Sequence, residues 1–126
     1  MQKTDNGYSE KTKNYYKALN NDNLCSCDLC RNYYQEIKRT YPELSDHLAE
    51  MGIDIEKPFE TIPLDPIDGT IEYLSAQYIV MGNASDFKST DVSGVHIGIA
   101  DSHPATDMDA EHFVIEIWPI KLKWTI

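Results

Sequence analysis

The chain changes its hydrophobic period once, near the middle, and that change limits the folds open to it. From residue 74 onward, apolar residues alternate with more polar ones: Leu74, Ala76, Tyr78 and Val80, then Val95, Ile97 and Ile99, then Phe113, Ile115 and Ile117. A period of two places alternate side chains on one face of a strand, so each run predicts a half-buried β-strand. Earlier in the chain the spacing is helical. Tyr33, Ile37 and Tyr41 recur at i, i+4 and i+8, and Leu44, Leu48 and Met51 follow Pro42. Helices followed by strands predict an α+β fold, with N-terminal helices packed on a C-terminal antiparallel sheet of about four strands.

Local signals set the expected boundaries. Tyr8 to Leu19 reads as a short helix, ended by the polar break Asn20-Asn21-Asp22-Asn23. Asp28 is the expected N-cap of a helix from Leu29 to Thr40. Pro42 suits the first turn of the next helix, and Gly52 suits its end. Ile53-Asp54-Ile55 and Lys57-Pro58-Phe59-Glu60 read as an extended connector, and Gly82-Asn83 and Asp101 to Ala110 as loops. Ile120, Leu122 and Trp124 continue the alternation beyond Pro119, which cannot donate to a ladder and predicts a bulge or an edge strand. We expect a partly helical N-terminal segment over residues 1–24 and a single α+β domain over 25–126.

Size and charge narrow the function classes. A chain of 126 residues that is 41% hydrophobic can bury one core without disulfides. Its formal net charge of -10 disfavours nucleic acid, where affinity rests on neutralising phosphates, and it disfavours anionic membrane surfaces. A basic partner protein, a cation or simple solubility remain as readings of that charge. The N-terminus carries no apolar signal-like stretch, and no run approaches the ~20 apolar residues of a membrane span. Three cysteines, an odd number, fit a reducing compartment better than a secreted disulfide scaffold, so we expect a cytoplasmic protein.

Those three cysteines lie within six residues, Cys25-Ser26-Cys27-Asp28-Leu29-Cys30. Cys27 and Cys30 have the spacing of a zinc knuckle, and Cys25 is close enough to join them on one zinc. Tetrahedral zinc takes four ligands. His47, on the following helix, is the expected fourth, since a helical hairpin could fold it back. Asp28 is sterically awkward, and His96, His103 and His112 could reach the site only through the tertiary fold. A helix starting at Leu29 would favour thiolates here through its free N–H groups. Metal ligation, buried packing and redox chemistry all remain open for these thiols. The thioredoxin pattern does not apply, because no strand precedes the motif.

Other motifs are weaker. Leu64-Asp65-Pro66-Ile67-Asp68-Gly69-Thr70 resembles the metal-binding signature of the inositol monophosphatases. That family implies a much longer domain and acidic ligands from an upstream strand and helix. Asp-Pro and Asp-Gly read here as turn chemistry instead. Asp107-Met108-Asp109-Ala110-Glu111-His112 lacks the glycine and ligand series of an EF-hand loop. Asp101-Ser102-His103 holds the residue types of a hydrolase triad without its geometry. Trp118 and Trp124 flank Pro119, where a tryptophan beside a bulged edge could anchor a partner. From Asp86 to Glu111 the only Lys or Arg is Lys88, so Asp101, Asp107, Asp109 and Glu111, with Trp118, form the expected surface for a basic partner.

Cys27-x-x-Cys30-x-Asn32-Tyr33-Tyr34, Gly52-Ile53-Asp54, Lys57-Pro58-x-Glu60 and Leu122-x-Trp124 together resemble a group of small acidic Firmicutes proteins with an N-terminal CxCxxC cluster. The resemblance implies a bacterial source and no established activity. By analogy of size and charge, it points to an immunity-type inhibitor. The expectation is therefore a non-enzymatic cytoplasmic binding protein, with a small zinc- or thiol-dependent enzyme using the CxCxxC cluster as the alternative.

Overall fold

A computed structural model describes residues 9–20 and 24–126. Its three α-helices precede all six of its strands: α1 (Ser9–Ala18), α2 (Asp28–Thr40) and α3 (Pro42–Glu50), then β1 (Glu60–Pro63), β2 (Thr70–Met81), β3 (Thr90–Val92), β4 (Val95–Ile99), β5 (His112–Trp118) and β6 (Ile120–Lys123). The fold is α+β, as the change of period requires. Tyr8 and residues 21–23, which carried the expected helix start and break, lie outside the described residues. Two strands exceed the expected four: β1 begins at Glu60, the last residue of the expected extended connector, and β3 is only three residues long.

The sheet is antiparallel, in the order β1-β2-β5-β4-β3, with β6 also pairing with β2. The twelve-residue β2 is its spine. On one side β2 meets β1 through Glu60↔Gln77 to Pro63↔Tyr73; on the other it meets β5 from Ala76 to Met81 and β6 from Thr70 to Tyr73. Ile67-Asp68-Gly69-Thr70 forms a two-residue turn, with Asp68 and Gly69 at φ 53° and 77° and reciprocal Ile67–Thr70 backbone hydrogen bonds. Positive φ at both central residues is the tight hairpin geometry that Asp-Gly favours. The phosphatase-like stretch is therefore a turn.

Pro119 makes no bulge in the pairing with β2, and β6 beyond it is the expected edge strand, paired with β2 alone among the described residues. Ala76 pairs with Ile117 and Tyr73 with Ile120, so β6 resumes the register of β5 against β2. What changes is the facing. Ile115 and Ile117 are buried in β5 but Ile120 and Leu122 in β6, while Ile71 and Tyr73 give way to Ala76, Tyr78 and Val80 in β2. Both strands switch phase together, where Leu74-Ser75 lies opposite Trp118-Pro119. Leu74, read as an inward residue, is consequently 57% exposed. Ile99, at the end of β4, is also exposed.

The core joins one face of this sheet to the helices through Tyr33, Ile37, Leu44, Leu48, Ile53, Ile55, Tyr73, Tyr78, Ile97 and Ile117. Side chains from the helical half also satisfy backbone groups on β2 beyond the end of β1 and along the outer edge of β6. Beyond β1, Ile79 O of β2 accepts from Tyr16 Oη at 2.8 Å, and Met81 N donates to Thr12 Oγ1 at 2.9 Å. Within segment 1–24, α1 is thus built into the same core as the rest. On β6, Tyr41 Oη accepts from Lys121 N, and the buried Asn32 bridges Lys123 O and Thr125 N, each at 2.8 Å. A strand edge left open to pairing is a liability, and buried backbone groups need partners.

Gly52 closes α3 at φ 88° against α1. A Cβ there would lie 2.7 Å from Lys13 N and closer still to Ser9 O. Both the left-handed backbone and the approach of α1 require glycine at that position.

Candidate metal centre

The start of α2 brings the three thiols together. Cys27, not Asp28, is the N-cap: its backbone is extended (φ -70°, ψ 161°), and Cys30 N donates to its Sγ at 3.5 Å. Asp28 becomes the first helical residue and pairs with Arg31 at 3.0 Å. Its carboxylate sits in the first turn, where the helix dipole favours it. A CxxC that opens a helix this way carries one sulfur just outside the first turn and one on it. Cys25 lies in the irregular segment ahead of the cap, and its Sγ is 3.3 Å from that of Cys27. All three Sγ atoms lie within 4.8 Å of one another.

Three further residues set this geometry. Tyr34, nearly two turns into α2, donates to Cys25 O at 2.8 Å and holds the preceding segment against the helix. Tyr73 of β2 donates to Leu29 O at 2.6 Å, tying the first turn to the sheet. Thr61 of β1 places its Oγ1 3.8 Å from Cys30 Sγ. Cys25 and Cys30 border a cleft of about 170 Å3 with Leu24, Tyr34, Pro58 and Phe59. Sequence reasoning missed these supports. Tyr34 and Tyr73 could have been suspected as tyrosines beside the motif and on a strand, whereas Thr61 carries no signal of its own.

The thiols are electrostatically unequal. The Cys30 N–H donated to Cys27 holds the Cys27 thiol below its ordinary value, and the neighbouring Cys25 thiol adds to this. Burial pushes Cys30 up to about 12, with the nearby thiols opposing its ionisation. Burial also raises Tyr34 and brings Tyr73 to about 12, so both phenols are neutral donors.

His47 does not join the thiols: among the described residues, only the three cysteines form this cluster. The reason is helix length. α2 carries the chain ~20 Å from the cluster, and six residues of α3 can retrace at most ~9 Å of that distance. Nor do the other histidines take part. His96 Nδ1 bonds Asp91 at 2.7 Å, His103 Nδ1 bonds Pro104 O at 2.8 Å, and His112 Nε2 bonds Thr106 at 2.8 Å.

The residues expected to meet a partner are dispersed over the loop and β5. Asp101, Asp107, Asp109 and Glu111 are exposed, and Glu111 accepts from Asn83 at 3.0 Å. Trp118 is 37% exposed, on the sheet face opposite the core, with its ring against that of His96. Ser102 contributes its carbonyl to Gln77 at 2.9 Å, and His103 packs its ring against Phe59, so Asp101-Ser102-His103 covers sheet and forms no triad. Several residues of the CxCxxC-group pattern likewise serve the fold: Asn32 holds β6, Tyr33 meets Tyr78, and Lys57 caps the carbonyls of Tyr16 and Leu19.

Comparison with known protein families, curated proteins and solved structures gave no match. No described helix is long and apolar enough to cross a membrane.

The thiol inequality predicts an order of alkylation by iodoacetamide, because the thiolate is the nucleophile. As pH rises, Cys27 ionises before Cys30, so its rate rises and levels off at lower pH than that of a free thiol. Cys30 stays protonated and reacts slowest, by at least ~10-fold near pH 8. Site-resolved mass spectrometry across a pH series reads both rates. Equal rates at Cys27 and Cys30 would contradict the assignment.

Proposed function

We propose that this is a non-enzymatic binding protein of a reducing compartment such as the cytoplasm, and that its built chemical site is a thiolate centre for zinc. The observation that carries the reading is the convergence of three sulfurs within 4.8 Å at the start of α2. Thiolates suit zinc and other soft or borderline cations, and the helix N-terminus favours their charge. Binding would displace the Cys30 proton, so affinity should fall with acidification. Water or a group from outside the cluster supplies the fourth position. The adjacent cleft of about 170 Å3 falls short of the ~300–1,000 Å3 of ordinary small-molecule sites, which favours a structural or sensing role over a thiol or zinc enzyme.

Native mass spectrometry under reducing conditions tests this reading. The expected result is one zinc per chain, removed by a chelator with a fall in melting temperature, and an affinity loss of at least ~100-fold in Cys27→Ser. An apo mass with zinc in excess would contradict it.

A second reading concerns a basic protein partner, as for an immunity-type inhibitor. The exposure of Asp101, Asp107, Asp109 and Glu111 in a stretch with one lysine favours it. Charges at a rim act mainly on association rate. Reversing Asp107, Asp109 and Glu111 to lysine should then slow association with a basic protein by ~10-fold at low salt and flatten its salt dependence. Unchanged rates would remove this loop from the interface.

A further inference from the structure

We propose that Cys25 and Cys27 form a reversible intramolecular disulfide that leaves Cys30 reduced. Both residues are exposed, and their sulfurs are already 3.3 Å apart. A disulfide bond of ~2.05 Å asks these sulfurs to close by little more than ~1 Å. Cys25 belongs to the irregular segment before α2 and is held through its carbonyl by Tyr34, while its sulfur accepts from Cys27 N at 3.5 Å and so stays turned toward Cys27. Cys30 is placed differently. It sits on the first helical turn, is partly buried, and has its sulfur against Thr61 of β1. Joining Cys27 to Cys30, the usual pairing for a CxxC, would pull that sulfur off Thr61 and out of the cleft wall.

A low-molecular-weight disulfide such as oxidised glutathione supplies the oxidising power. The Cys27 thiolate attacks one sulfur of glutathione disulfide; that S–S bond breaks, and one glutathione leaves as its thiolate. The Cys25 thiolate then attacks the Cys27 sulfur of the mixed disulfide and expels the second glutathione. Two protein thiols lose two electrons and two protons, and one glutathione disulfide becomes two glutathione thiols. Dithiothreitol reverses the exchange. If the thiols also hold zinc, as the metal reading above has it, oxidation removes two of three ligands and couples metal retention to redox state.

The sequence makes the pairing easy to resolve, because Asp28 separates Cys27 from Cys30. Metal-free protein is incubated with oxidised glutathione, alkylated with iodoacetamide, and cut with a protease that cleaves before aspartate. The expected products are peptide 22–27 lighter by two hydrogens and unlabelled, and peptide 28–45 alkylated at Cys30. This form should exceed the cross-linked form by at least ~10-fold. Cys25→Ser should stop at the glutathione adduct of Cys27. Peptides 22–27 and 28–45 joined by a disulfide, or all three thiols alkylated, would overturn the proposal. The absence of zinc from this assay separates its outcome from that of the metal reading.

Discussion

A central strand longer than its neighbours leaves backbone groups without ladder partners, and that constraint governs where the helices dock. β2 outruns β1 at one end, and among the described residues β6 has no strand on its outer side. Thr12 and Tyr16 of α1 satisfy the first gap; Asn32 of α2 and Tyr41 satisfy the second. Each buried polar group left unpaired would cost about 1–3 kcal/mol, so these contacts fix the helices in position as well as in orientation. Within the core, Tyr78 donates to Ile55 O, and its hydroxyl oxygen is left to accept from Tyr33. Apolar burial supplies the driving force, and the tyrosine hydroxyls select one arrangement of helices on sheet.

The thiol cluster follows from that docking. Once Asn32 and Tyr33 hold α2 on the sheet, Tyr73 fixes its first turn and Thr61 faces Cys30 from β1. The sulfur of Cys27 then has a dual role, as helix cap and as candidate ligand. Its interaction with the Cys30 N–H favours the thiolate, whereas Cys30, turned toward the protein, favours the thiol. One short motif thus presents two exposed sulfurs beside a partly buried third. That asymmetry suits both zinc capture and selective oxidation of the outer pair.

Much of the fold was legible in the sequence because periodicity reports burial directly. The runs Tyr33/Ile37, Leu44/Leu48 and Ile115/Ile117 are buried on the faces their spacing assigns. Leu74 misled because the phase of β2 switches beside Trp118-Pro119, a tertiary event that single-strand alternation cannot register. β1 and β3 were missed because they are short and mostly polar or half-exposed. At the site, the clustering of Cys25, Cys27 and Cys30 was legible from spacing alone. The exclusion of His47 was not, since it depends on how far α2 carries the chain before α3 returns. Thr61 lies thirty-one residues from Cys30, and nothing local marks their meeting.

On the proposed reading, the three sulfurs at the start of α2 act as one metal ligand set without His47. Anaerobic titration with cobalt(II), a spectroscopic stand-in for zinc, tests it most directly. The account predicts a thiolate-to-cobalt charge-transfer absorption that saturates at one equivalent, weakens on serine substitution of Cys25, Cys27 or Cys30, and persists in His47→Ala. No charge-transfer band, or a band abolished by His47→Ala, would contradict it.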